Sequence, residues 1–520
     1  MTDNFDSLQK EESSKSDDNP QHESANKMIE KILQIVALEK PENTYPTNGG
    51  PIDENDSKYG GFVVYQALKN HKLKKDDQQK IEDARKFIDD VIEAIDEEIN
   101  TKISNVMQDS DFKELEASWR GLYLLVDRTD FNKDITVEIL NCTKEELEKD
   151  FKDATEPVLS GFYKQIYTNG FDQPGAVPFA CIMGNFEFDS SSKDIALIDN
   201  ISKIAAASHC PFISTVDKDF FQKKDIAALP DPQATKNMLN TQMPFKKWNN
   251  FRNSPDSKYV GLTLNKFLLR LPYADKPVKK DGSYTFIETI GSEAKMKNYL
   301  WGNPAFAFMA NVHRSFAKSG WAFNIRGPKS GGKVEDLPFA KFDSVAKHWP
   351  QFRMPLQNFI SETMERTLSE CGFMPMSVYK NEDYAVFFAA HSARQPALGD
   401  DSPEGKAATA SAKLTATLPN IFLLSRFAHM IKVIIREEIG ASKEKEDVLQ
   451  DVNRLINQYV TKMEKPGDEQ KAKYPLRQAF VEVSENEDAP GYYNFDFKIR
   501  PHFQLEGVSV NLTLVSKINN

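Results

Sequence analysis

The chain has 520 residues, a formal net charge of −11 and 40% apolar residues, among them 35 Phe. That length exceeds what one hydrophobic core usually organises, so roughly two to four domains are expected. The acidic balance argues against general nucleic-acid binding, which needs a basic footprint. Cys142, Cys181, Cys210 and Cys371 form no C-x-x-C pair, which leaves a zinc ribbon or redox motif unsupported.

The first 26 residues are polar and charged, read as disordered, and carry no signal-peptide pattern. A short apolar patch follows, with Met28, Ile29, Ile32, Leu33, Ile35 and Val36, and then a Pro/Asn/Gly/Asp-rich linker from Pro41 to Ser57. Such a patch on a tether must dock on its own body or on a neighbour. Residues 61–69 read as a short helix. From Gln78 to Met107, Ile81, Ile88, Ile92, Ile95, Ile99 and Ile103 recur at helical steps opposite an acidic face. That helix is either an ordinary core helix or half of a coiled-coil-like pair. It should end near Asp109-Ser110, where a new cap starts the helix holding Trp119.

Beyond it, Ile135 to Leu140 alternates as a strand, Lys144 to Asp153 is helical, and Val177 to Gly184 is an apolar strand. Asp194 to Ser208 reads as a helix and Pro211 to Val216 as a strand; this alternation indicates an α/β body. Residues 230–300 look looser and Pro-rich. A helix is expected from Pro304 to Ser319, a strand pair from Lys380 to His391, and a mobile loop over the small, polar residues 393–410. Leu414 to Ile439 reads as one long helix. Arg426, His429 and Lys432 interrupt its apolar stretch and exclude an ordinary membrane span. A charged helix from about Lys443 to Met463 follows. The chain then turns to β: Ala479 to Ser484, Tyr492 to Arg500, and Val508 to Val515, where Val508, Val510, Leu512 and Leu514 alternate with polar residues.

One segment imitates an enzyme. Gly327-Pro328-Lys329-Ser330-Gly331-Gly332-Lys333 fits G-x-x-x-x-G-K. A phosphate loop places Ser or Thr next and then opens a helix whose amides hold the phosphates. Here Val334 comes next and Pro338 blocks a regular helix, so a glycine-rich turn is the better reading. The scattered histidines, His209 and His429 included, have no second ligand at helical spacing, and no G-x-S-x-G elbow occurs. Nothing here nominates a catalytic residue, a cofactor or a metal.

Several ordered motifs carry a resemblance instead. They are Leu115-Glu116-Ala117-Ser118-Trp119-Arg120-Gly121-Leu122, the Arg270-Leu271-Pro272-Tyr273 core of Phe267 to Tyr273, Tyr299-Leu300-Trp301-Gly302-Asn303, Val334-Glu335-Asp336-Leu337-Pro338 and Arg500-Pro501-His502-Phe503-Gln504-Leu505-Glu506-Gly507. Together, from about Gln78 to Ser516, they resemble the large-subunit family of type VI secretion contractile sheaths (TssC/VipB). The first 60 residues match poorly, and Leu264-Asn265-Lys266 stands where a Pro-Arg pair is common.

The resemblance implies a non-enzymatic, cytoplasmic subunit of mixed α/β (α+β) fold. The expected organisation is an arm at 1–60, a helical region at 61–130 that pairs with a small sheath subunit (TssB/VipA-like), an α/β body at 131–370, and a C-terminal α/β domain at 371–520 facing the inner tube. It further implies helical self-assembly around Hcp rings on a baseplate, and recycling by a ClpV-like AAA+ unfoldase, without cofactor, nucleic acid or membrane insertion. A tail sheath of a phage-like particle is the alternative. On this reading Ile88, Ile92, Ile95 and Ile99 face the small subunit, Lys443, Lys445 and Glu446 touch the tube, and Val508, Val510, Leu512 and Leu514 lie in strands shared between subunits.

Overall fold

The structure, a computed structural model, describes residues 96–171, 177–273, 286–288, 298–343, 351–378, 382–438, 445–461, 463, 465–485 and 493–502. The chain divides into two compact units, 1–102 and 103–520. Of the first, residues 96–102 are described; they are helical, with Lys102 and Glu98 paired at 2.9 Å. The N-terminal arm and most of the isoleucine-rich helix lie outside the described residues.

In the second unit residues 103–108 are helical, and α1 (Ser110–Asp127) follows. The Asp109 side chain accepts from the backbone N–H of Asp111 and Phe112, which is the new cap expected there. Next comes α2 (Lys144–Asp153), started by a capping box in which Thr143 and Glu146 satisfy each other's backbone. The chain continues as β1 (Ile182–Phe188), α3 (Ser192–Ser208), β2 (Phe212–Val216), α4 (Pro232–Thr241), α5 (Lys246–Asn253), β3 (Val260–Leu264) and β4 (Phe267–Arg270). After these come β5 (Leu300–Gly302), α6 (Pro304–Ser319), β6 (Lys333–Val334), β7 (Ala340–Asp343), β8 (Gln351–Met354), α7 (Glu362–Glu370), β9 (Phe373–Val378) and β10 (Ala385–Phe387). The C-terminal part holds α8 (Pro403–Thr415), α9 (Leu418–Glu438), α10 (Lys445–Asn457), β11 (Leu476–Glu485) and β12 (Tyr493–Pro501).

A six-stranded sheet, ordered β1-β2-β3-β9-β10-β6, forms the centre. Its first four strands are parallel, and β10 and β6 complete it antiparallel. Parallel strands need crossovers, and α3 and the α4–α5 pair supply the first two. Every residue of β2 and β3 is buried, as expected of strands covered on both faces. On one face Phe212, Val216, Leu262, Leu264 and Phe373 join Ile198, Ile201 and Trp248. On the other, Ile213, Met374 and Met376 join Phe306, Phe308, Leu418 and Phe422. Gly261 lets this second layer approach, since a Cβ there would meet the Leu418 and Ile213 methyls at 2.7 and 2.8 Å. The expected boundary at 370/371 falls just before β9, which pairs with β3 inside this sheet.

Four expectations are corrected. Residues 135–140 belong to no ladder; alternation describes side chains, and no strand lies beside them among the described residues. The expected loop at 393–410 contains α8, capped by Ser402 with Pro403 in its first turn; its many alanines are strong helix formers. The long helix expected from Leu414 is broken at Ala416 and Thr417, where Thr417 bridges to His391. Residues 230–300, expected to be loose, supply α4, α5, the buried strand β3, and β4.

Candidate assembly surface

α1 is where the sequence motifs converge. Gly121 is buried, and a Cβ there would sit 2.4 Å from Phe306 Cδ2, so glycine lets α1 cross α6 closely. Leu125 is buried in the same cluster as Phe306 and Leu337, and Leu122 packs against that cluster, which joins the first motif to the Val334–Pro338 motif. At the end of α1, the Arg128 guanidinium donates to the Glu335 carbonyl at 2.5 Å. Ser118 Oγ accepts from Asn185 Nδ2 at 2.8 Å, and Asn185 Oδ1 accepts from Asn303 Nδ2 at 3.1 Å. Asn303 also caps α6 through the Ala305 N–H. The Tyr299–Asn303 motif is thereby tied to α1 through one intervening side chain.

The Arg270–Tyr273 motif reaches α1 through ions. Arg270 Nε donates to Glu116 Oε1 at 2.7 Å and its Nη2 to Glu116 Oε2 at 3.0 Å, a bidentate pair. Arg270 Nη1 also donates to Glu288 Oε2 at 2.6 Å. Arg120 bridges Glu116 and the Tyr273 hydroxyl, and Gln108 donates to Glu288. The Arg270 guanidinium lies 4.6 Å from the Tyr273 ring centroid. Burial penalises this guanidinium, yet its hydrogen bonds to Glu116 and Glu288 hold its pKa above the ordinary range. Burial likewise raises the Glu116 carboxyl, and its bonds from Arg270 and Arg120 outweigh that and hold it below its ordinary value. The cluster acts as a clamp that fixes α1 on β4. No motif contained Glu288; only the tertiary fold reveals its partner.

The side of α1 opposite the buried Gly121 is open. Leu115 is 57% exposed, Trp119 64% and Tyr123 70%, with Phe112 and Val126 beside them. Trp119 therefore does not serve the core, although it sits inside the most distinctive motif.

The other expected positions are dispersed. Ile99 lies in a helical stretch and is exposed, while Ile88, Ile92 and Ile95 fall outside the described residues. Lys445 starts α10 and Glu446 follows, exposed; Lys443 lies outside the described residues. Val508, Val510, Leu512 and Leu514 also lie outside them.

The imitation phosphate loop has no helix behind it. Gly332 N–H donates to Gly327 O, and Lys333 enters β6, its Nζ over the Tyr384 ring at 4.2 Å. His209 ends α3 in the left-handed conformation and shares a hydrogen bond with Tyr259, while His429 is buried against the Ser208 carbonyl. Burial pushes His209 down to about 4. The cysteines are unpaired, and burial pushes the Cys181, Cys210 and Cys371 thiols up, away from a reactive thiolate. No His/Cys/Asp/Glu group able to hold a metal occurs among the described residues.

Two family models match in sequence. VipB, described as the EvpB/VC_A0108 tail sheath N-terminal domain, matches residues 89–394, and VipB_2, its gpW/gp25-like domain, matches 407–518. The type VI secretion system sheath protein TssC1 of Pseudomonas aeruginosa is 38% identical over 439 residues, 84% of this chain and 86% of that one. The chain belongs to the TssC/VipB family of type VI secretion sheath proteins. Its role is structural, as a subunit of a contractile sheath, and the type VI reading holds over the phage-like alternative. Among solved structures, the chain is similar to one from the anti-feeding prophage baseplate (TM-score 0.35, 8% identity, 74% of this chain and 84% of that one). Another is the contracted helical sheath of that particle (TM-score 0.29, 10% identity, 62% and 68%).

Proposed function

We propose that this chain is the large member of a two-chain sheath unit. It pairs with a small sheath subunit of the TssB/VipA kind, and the pairs stack helically around a tube of Hcp-type rings on a baseplate. Contraction drives the tube outward, and a ClpV-like AAA+ unfoldase dismantles the spent sheath. The assembly stands in the cytoplasm; no described helix is long and apolar enough to cross a membrane. The chain performs no chemistry of its own. The 61–130 region meets the small subunit, and the region from 371 onward faces the tube, with Lys443, Lys445 and Glu446 on its side.

The observation that carries this reading is the C-terminal sheet, which has two strands among the described residues. β11 and β12 form a two-stranded ladder covered on one face, where Val481 packs with Val452 and Ile456 of α10. On the opposite face Phe480 is 58% exposed. A two-stranded sheet is marginal alone and gains main-chain bonds from each added strand. Such bonds survive rotation of the bodies they join, which a contracting lattice requires. The strand holding Val508, Val510, Leu512 and Leu514 is assigned to this shared sheet.

The test is co-expression with the small sheath subunit, followed by sedimentation and electron microscopy. Wild-type pairs should form tubes. Asn511→Pro, which removes one ladder donor, should leave the pair soluble and abolish tubes. Loss of soluble protein before any assembly defect would instead mark the strand as internal.

A further inference from the structure

α1 is apolar on two sides, and only one is covered. Gly121 and Leu125 pack on α6, while Phe112, Leu115, Trp119, Tyr123 and Val126 recur every three or four residues along the other side and stay open. A helix that needs only its own body buries one stripe and leaves the other polar. The spacing averages 3.5 residues, the repeat of a seam that receives a second helix. Just beyond α1, Ile135, Val137 and Ile139 alternate with Thr136 and Glu138. Yet 135–140 has no ladder partner among the described residues, and Ile139 and Leu140 are 68% and 51% exposed. This stretch has the composition of a strand and no strand beside it.

We propose that the open stripe of α1, together with residues 135–140 that follow it in the chain, is the dock for the small sheath subunit, which lays a basic-flanked amphipathic helix along the Trp119 stripe and adds a strand to 135–140. The inference rests on the reading that such a subunit joins this chain, and moves its principal contact from the isoleucine-rich helix to α1. Charge selects a different chain over a second copy. Asp111, Glu114, Asp127, Asp130, Asp134 and Glu138 are all exposed around the stripe. Against them stands Lys133, since Lys113 is half-buried beside Glu288 and Glu116, Arg120 is held by Glu116 and Arg128 by the Glu335 carbonyl. Two copies meeting face to face would oppose acid to acid, which like charges disfavour, whereas Lys and Arg on a partner would be drawn in. Area points the same way. The stripe offers on the order of 500 Å². A stable interface covers about 800 Å² per partner, so the adjoining strand is needed to complete it.

The test uses the full-length chain, tagged and co-expressed with the small sheath subunit of the same organism. Trp119→Glu with Tyr123→Glu should lower recovered partner at least tenfold while the tagged chain stays soluble with an unchanged melting temperature. A second variant, Asp111→Lys with Glu114→Lys and Asp127→Lys, keeps the apolar stripe and should also lose the partner; if the first variant is insoluble, this one decides. Full recovery of the partner by either soluble variant overturns the dock and leaves the two-chain reading standing. If wild type recovers no partner, both fall. Self-association of the wild-type chain alone that disappears in the first variant would make a second copy the occupant and overturn the proposal.

Discussion

Trp248 and Trp119 are the same side chain put to opposite uses. Trp248, on α5, is fully buried, stacked on Phe373 of β9 with centroids 5.4 Å apart and edge-on to Phe220 at 5.3 Å. Trp119, on α1, is 64% exposed although its helix is clamped at Glu116, Gly121 and Leu125. The central sheet is closed on both faces by the chain's own helices and needs nothing further. α1 is closed on one. A rigid body finished in its core and unfinished at its rim is what a lattice subunit requires, because its remaining contacts belong to neighbours.

The largest effect should come from the finished half. Trp248→Ala removes a ring from the aromatic cluster and should cost about 3–5 kcal/mol, read as a lowered denaturation midpoint with or without a partner. Trp119→Ala should change the stability of the isolated chain by less than about 0.5 kcal/mol. Equal losses would erase the distinction between the two regions.

A second effect tests a flaw inside the core. Glu365 of α7 is buried, with Ser369 Oγ donating to it at 3.1 Å. Burial pushes its carboxyl up to about 7, from an ordinary 4.5. The folded state therefore holds this proton more tightly than the unfolded chain. Below about pH 4.5 both states are protonated and nothing is lost; stability falls as pH rises toward 7, and above that the full cost, roughly 3 kcal/mol, applies. Glu365→Gln should raise the melting temperature at pH 8 and lose that advantage near pH 4.5. An equal gain at both pH values would assign the effect to packing.

Much of the closed half was legible in sequence. α2 and α6 occupy their expected residues, and β2 begins one residue inside its expected span, because long periodic runs, a cap such as Thr143 and a first-turn proline such as Pro304 are local signals. β3 lies inside the stretch that looked loose. Val260 to Leu264 is short and apolar throughout, and such a run does not show whether it is strand or helix. The open half was legible as motifs without geometry. Trp119 could be singled out, but its exposure follows from Gly121 turning the other side of α1 onto Phe306. The pairing of Arg270 with Glu116 spans 154 positions, and that with Glu288 involves a residue with no periodic context. Residues 135–140 show the converse error, in which the alternation was real and no partner strand lies among the described residues.

A third effect couples the two halves. Gly121→Val places branched carbons against the Phe306 ring, which a bare Cβ would already approach to 2.4 Å. Overpacking of this kind costs about 1–3 kcal/mol. Because α1 must shift to relieve it, recovery of the small subunit should fall with stability. Trp119→Glu should lower partner recovery alone. If Gly121→Val destabilises the chain yet retains the partner, the dock does not depend on how α1 is seated.

The smallest effect on the isolated chain should come from α10, and its smallness is the point. Val452 and Ile456 are buried against Trp321 and Phe427, so one side of α10 is already used. Glu446, in the first turn, is exposed and faces no such core. An acid there gains a few tenths of a kcal/mol from the helix N-terminus, so Glu446→Lys should shift stability by no more than about 0.5 kcal/mol and leave the pair with the small subunit intact. If this end of α10 grips the tube, reversing Glu446 together with Lys445 should still reduce secretion of the tube protein. Exposed charges grip weakly and are screened by salt, which suits a contact that must release on contraction. The two readouts separate cleanly. Unchanged secretion would remove α10 from the tube, and a fall in secretion that tracks a fall in stability would place Glu446 with the finished half of the molecule.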